Sequence, residues 1–140
     1  MRMKIPKNIK VMGDIKYRGK CPREASEQTT LINVLRRDYP ALAPIAIHIK
    51  NEGKRSGLQA MRDKASGMVA GASDIMIPGS PCFVCELKRV DHTQSKLGDD
   101  QVEYLEAAQA NGAFACVALG WEAAIRAVDM WLDIVRMNNR

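Results

Sequence analysis

Nowhere in its 140 residues does the chain string together the roughly 18 apolar residues that a membrane-spanning helix needs. The N-terminus is basic but has no apolar h-region, so it does not read as a secretory signal, and a cytoplasmic protein is expected. Internal repeats, low-complexity tracts and a P-loop are all missing, and the Gly71-Ala72-Ser73-Asp74 stretch is not a dinucleotide-binding fingerprint. Histidine is scarce, with only His48 and His92. Cys82 and Cys85 imitate a C-x-x-C motif, but no second pair exists and both histidines are distant in sequence. Three residues apart on a strand, these cysteines point to opposite faces and cannot chelate one ion. Zinc is therefore not expected, and Cys21, Cys82, Cys85 and Cys116 read as reduced thiols.

What is present is a single domain's worth of chain with an ordinary 46% apolar content, long enough for a true core. Its net charge of +5 is unevenly placed. Residues 1–23 carry eight Lys/Arg against one Asp, or +7, while the remainder carries −2. A basic arm on a near-neutral body suits a polyanion such as DNA, the plain alternative being a solubilising tail. The expected division is a basic arm over 1–22 and a domain over 23–140. Alternation across Ile9-Lys10-Val11-Met12 also allows a short edge strand in the arm.

The stretch that organises the chain is a hairpin. Ile75-Met76-Ile77 and Cys82 to Leu87 are short apolar runs flanking the turn signal Pro78-Gly79-Ser80-Pro81. Three charges interrupt it: Asp74, Glu86 and Lys88. Side chains alternate along a strand, so Glu86 and Lys88 share one face with Val84 and Cys82, and Phe83, Cys85 and Leu87 share the other. The turn brings Asp74 back towards Glu86. Two carboxylates and an amine then meet at the end of an apolar hairpin. Burying them is costly unless they are paired or bind a cation. Hard oxygen ligands suit Mg²⁺ or Mn²⁺; a structural salt bridge is the alternative.

Periodicity predicts a helix from Glu24 to Asp38, with Leu31, Val34 and Leu35 inward and Glu24, Glu27 and Gln28 in its first turns. Ile45 to Ile49 reads as a buried strand. Gly57 to Ser66 reads as a helix with Leu58 and Met61 inward, closed by Gly67. Arg89 to Leu97 is a polar loop beside the hairpin that can track nucleic acid. A helix from Gly98-Asp99-Asp100 to Asn111 follows, with Gln101, Tyr104, Leu105 and Ala108 on one face. Ala113 to Leu119 is a strand, and Trp121 to Val135 an amphipathic helix. The order α, β, α, β, β, α, β, α predicts an α/β fold with a mixed sheet flanked by helices.

Asp74 followed by Glu86-Leu87-Lys88 resembles the PD-(D/E)xK nuclease signature. The surrounding text is more specific: Gly67, Ala70-Gly71-Ala72-Ser73-Asp74, the E-x-K strand and Gln101 before a helix resemble the VRR-NUC family of replication-repair nucleases. Ser73 stands where that family often has Pro. His48 to Ser56 is similar to the family's P-N-G-G-x-R loop, with Lys50 and Glu52 as departures. The resemblance spans roughly residues 24–135 and implies a restriction-endonuclease-like fold. It also implies a metal site made by Asp74, Glu86 and the Leu87 carbonyl, with an extra carboxylate from an E-x-x-x-Q helix. Glu24 is preferred for that role and Glu27 is the runner-up. It implies catalytic parts for Lys88 and Gln101, and DNA contacts by Asn51, Lys54, Arg55 and Arg89. The expected activity is Mg²⁺-dependent DNA cleavage, with Mn²⁺ able to substitute. The expected substrate is branched DNA, first a Holliday junction resolved by a homodimer. The rivals are a flap or nicking nuclease, and a DNA-binding module without catalysis.

Overall fold

The computed structural model describes residues 3–49 and 56–139. Five strands form one mixed sheet in the order β1-β5-β4-β3-β2: β1 (Lys10–Met12), β2 (Ile47–His48), β3 (Ile75–Ile77), β4 (Phe83–Lys88) and β5 (Phe114–Leu119). The β4 strand is central, parallel to β5 and antiparallel to β3. The outer strands are β1, parallel to β5, and β2, antiparallel to β3. Four helices accompany the sheet: α1 (Glu24–Asp38), α2 (Gly57–Ala65), α3 (Asp99–Ala110) and α4 (Trp121–Asn138). This is the mixed-sheet α/β architecture expected.

The alternation along β4 divides the core. Phe83, Cys85 and Leu87 pack with Leu31 and Leu35 of α1 and with Ala124, Val128 and Trp131 of α4. On the opposite face Val84 packs with Leu105 of α3, Val117 of β5 and Ile9. Each such fully buried aliphatic or aromatic side chain contributes about 1.5–3 kcal/mol. The hairpin turn is fastened to α4, where Trp131 Nε1–H donates to the Pro81 carbonyl at 2.7 Å and the indole lies 5.5 Å from the Phe83 ring. Gly79 is required in this turn, since a Cβ there would stand 2.7 Å from the Trp131 ring. The two thiols of the C-x-x-C separate as the alternation requires: Cys85 is buried on the α1/α4 face, while Cys82 packs against the α3 face.

Two expectations change. The Ile45–Ile49 run is not a buried strand; only Ile47–His48 pair, and both are exposed. As the outermost strand, β2 has a neighbour on one side only. Leu58 and Met61 do not face inward either: they are 58% and 71% exposed, and α2 contributes no buried residue. Apolar residues at helical spacing need an element to pack on, and none of the described elements covers this helix. The first 22 residues include the short edge strand that their alternation allows. They supply β1, their Ile9 is buried, and Met3, Ile5 and Val11 help close the α3-side core. The segment's described lysines and arginines all remain exposed.

Candidate functional site

Ile75 pairs with Cys85, and one step further along the antiparallel register Asp74 comes opposite Glu86. The Asp74 carboxylate is fixed by the Leu87 N–H, which donates to Oδ2 at 2.8 Å. Its carbonyl accepts from the Ile49 N–H at 2.8 Å. Glu86 and Lys88 follow on the same face of β4 and are almost closed to solvent, at 1% and 4% exposure.

Around Lys88 Nζ stand Glu86 Oε1 at 3.5 Å, Glu24 Oε1 at 3.7 Å and Gln101 Oε1 at 3.4 Å. Gln101 holds this group together: its Nε2 donates to Glu86 Oε1 at 2.9 Å, and its Oε1 accepts the Gly98 N–H at 2.8 Å, capping α3. The start of α3 is placed by Gly71, whose φ is +79°; a Cβ there would lie 2.3 Å from the Asp100 carbonyl. The small residues before Asp74 thus let two backbones meet and bring Gln101 to Glu86. From the other side, Glu24 Oε1 accepts from Ser95 Oγ at 2.9 Å, and Ser95 Oγ accepts the Arg89 N–H at 3.0 Å.

Glu24 and Glu27 have separate destinations. The Glu24 side chain is 41% exposed and faces Lys88. Glu27 is 2% exposed and turned towards α4, where it accepts the Trp121 N–H at 2.5 Å. A carboxylate at a helix N-terminus satisfies an orphan donor and the helix dipole together. Glu27, the runner-up for the site carboxylate, therefore serves as a cap.

Comparison of the sequence with protein-family models and with curated proteins gives no match. Comparison of the fold does. The chain is similar to a solved structure described as a VRR_NUC domain protein, with a TM-score of 0.68, covering 82% of this chain and 92% of that one at 23% identity. The chain has the fold of a VRR_NUC domain protein. The motif resemblance and the three-dimensional likeness point to the same fold.

Within this VRR_NUC fold the donor set suits a hard divalent cation. Glu86 Oε2 is buried without a hydrogen-bond partner. Burial first, then the charge of Asp74, push the Glu86 carboxyl up to about 9, while Lys88 pulls it back. A cation beside the two carboxylates removes both penalties. Among the described residues no three His, Cys, Asp or Glu side chains converge on one point, and Glu24 reaches Lys88 instead of completing a carboxylate trio. Two carboxylates with a carbonyl and water suit Mg²⁺, which keeps several waters.

A cleft of about 350 Å³ adjoins Asp74 and Leu87, walled by Glu24, Gln28, Thr29 and His48. His48 was not singled out from the sequence. Its Nδ1 lies 3.0 Å from the Asp74 carbonyl, so Nδ1 carries the proton and Nε2 is left uncommitted to that bond. Its signal was its place at the end of an apolar run just before residues 50–55. Ser73, fully buried, has an unpartnered Oγ. Arg89, expected to contact DNA, donates from Nε to the Pro22 carbonyl and from Nη2 to the Cys21 carbonyl. It secures the N-terminal segment, which leaves its remaining donors for any phosphate. Asn51, Lys54 and Arg55 lie outside the described residues.

Proposed function

We propose that the chain is a metal-dependent endonuclease acting on branched DNA. The observation that carries this reading is the buried Glu86 carboxylate, short of a partner, set against Asp74 and Lys88. Asp74, Glu86 and the Leu87 carbonyl would hold Mg²⁺ or Mn²⁺, with Glu24 beside them. Such an ion, when bound, polarises a phosphate and lowers the pKa of a water. The chain's own residues supply the rest. Lys88 places an ammonium where negative charge develops on the scissile phosphate. Gln101 and Glu24 hold that ammonium from two sides. The N-terminal lysines and arginines bind phosphates along the duplex without reading sequence.

Holliday junction cleavage by a homodimer is the first choice of substrate and assembly. A two-fold dimer presents two sites at a fixed spacing to a two-fold junction. Such a dimer needs apolar surface that one protomer leaves exposed, and Leu58 and Met61 of α2, with Ile15 and Tyr17, are of that kind. The test is cleavage of a four-way junction, a flap, a splayed arm and linear duplex, each with Mg²⁺, Mn²⁺ or chelator, alongside light scattering. Metal-dependent junction cleavage at twice the 15.5 kDa protomer mass is expected. A monomer that cuts flaps moves the substrate to the flap reading. DNA binding with no cleavage in any metal moves the protein to the accessory-module reading.

A further inference from the structure

A second cavity, of about 380 Å³, continues the catalytic cleft along α1 and shares Gln28, Thr29 and His48 with it. Its wall on the α1 side holds Ile32, Asn33 and Arg36, and its opposite wall Ala43 and Ala46. We propose that this cavity receives one unpaired nucleobase of the cut strand, next to the scissile phosphate. The inference rests on the nuclease reading above and adds what the site recognises.

Size, chemistry and position support it. A cavity of this volume lies within the range of small-ligand pockets and is far too narrow for a duplex. Ile32, Ala43 and Ala46 are partly buried and apolar, a surface for the face of a base and a poor one for a phosphate. The polar groups at its edge are amides, a hydroxyl and an imidazole. Asn33 and Gln28 each offer a donor and an acceptor, as the edges of bases do. The side chains of Asn33 and Arg36 make no hydrogen bond or ion pair with other described residues, and Gln28 Nε2 is buried without a partner. Arg36 supplies a planar cation able to stack on a base or reach the adjoining phosphate. Position completes the case: the cavity meets the metal-site cleft at His48, which is bonded to Asp74 itself. A base seated there is separated from its complement. Duplex DNA resists that, while a branch point offers unpaired or loosely stacked bases at little cost. Discrimination between branched and linear DNA then begins at the nucleotide beside the cut.

The test places 2-aminopurine at each branch-point nucleotide in turn, with chelator present so that DNA stays intact, and reads fluorescence on binding. One position is expected to change, and the change to vanish in Ala46→Trp, which fills the cavity. In steady-state cleavage, an abasic nucleotide at that position should lower wild-type kcat/KM by about 10–100-fold, the usual worth of one pocket interaction, and leave the already slowed Ala46→Trp indifferent. Asn33→Ala, exposed and safe for folding, should show a smaller version of the same loss. If no position responds, and the abasic substrate is cut as fast as the parent, the base pocket is overturned while the nuclease reading stands. If no DNA is cut under any metal but one base still responds and Ala46→Trp abolishes the response, the pocket stands and the nuclease reading falls.

Discussion

The molecule buries carboxylates in two ways. Asp91 accepts four hydrogen bonds: from the Thr93 N–H at 3.0 Å and its hydroxyl at 2.6 Å, from the Gly19 N–H at 3.0 Å, and from Gln94 Nε2 at 3.0 Å. The Thr93 hydroxyl, then the Gly19 amide, hold its carboxyl well below the usual range. Glu27 caps α4 in the same spirit. Glu86 is the opposite case: one oxygen lacks a partner, and burial beside Asp74 pushes the group up to about 9. The first pair serve the fold, which satisfies them. The third is left incomplete by the fold, and an unsatisfied buried carboxyl is retained at a cost in stability. The difference separates scaffold from site without reference to any relative.

The sharpest way to break this contrast is substitution at the site. Asp74→Ala or Glu86→Gln should abolish metal-dependent cleavage, and Lys88→Ala should slow it by about 10²-fold, by analogy with loss of one oxyanion donor. Glu86→Gln should melt no lower than the parent in chelator, whereas Asp74→Ala strands the Leu87 N–H and should melt lower. A gel assay with parallel thermal melts checks both, and a Glu86→Gln variant that unfolds early would place Glu86 among the scaffold carboxylates.

Next in size is the exchange of roles on α1. Glu27→Ala should cost about 1–3 kcal/mol, the penalty for an unsatisfied buried donor, with cleavage below its melting temperature within a few fold of the parent. Glu24→Ala should do the reverse, melting normally and cutting poorly. Denaturant titrations and initial rates on both variants decide it.

The pH dependence is smaller and has a definite sign. Glu86 titrates at an ordinary 4.5 when unfolded and at about 9 when folded, so between those values the folded state holds the extra proton. Its contribution is present in full below pH 4.5 and lost as pH rises towards 9. In chelator the melting temperature should fall across that window by more in the parent than in Glu86→Gln. Identical pH profiles for the two proteins would rule out this assignment. Smallest is the effect of replacing Lys4, Lys7, Lys16 and Lys20 with Gln. Stability should hold, and the log–log salt slope of DNA binding should flatten by about 0.9 for each phosphate no longer neutralised.

Much of this contrast could be read from residue order. The β3–β4 hairpin, the split of β4 between two faces and the convergence of Asp74, Glu86 and Lys88 follow from a turn signal and period-two alternation. The Glu24–Asp38 helix and the helix that begins after Gly98 follow from periodicity and end signals, while the capping bond of Gln101 does not. What could not be read depends on the third dimension. Glu24 and Glu27 lie on one helix edge, and only the arrival of α4 tells them apart. Leu58 and Met61 have core spacing, but no described element covers them. The Ile45–Ile49 run has strand composition, but an outermost position exposes it. Arg89 reads as a phosphate ligand until its partners, the carbonyls of Cys21 and Pro22, are brought beside it by a chain crossing invisible in one dimension.

The pairing of β1 with β5 has a consequence for how the protein comes into being. Lys10–Met12 pair with Cys116–Ala118, so a strand made early must wait for one made late. Pairings so distant along the chain close slowly, because the entropy of the intervening loop is lost before any bond forms. During synthesis the basic segment that bears β1 has no sheet to join while β5 is still inside the ribosome. The central strand bearing Glu86 and Lys88 likewise lacks its β5 neighbour until then. A growing chain of this design carries its basic segment well before the strand bearing Glu86 and Lys88 has its full sheet around it, and both gaps close together once β5 has emerged.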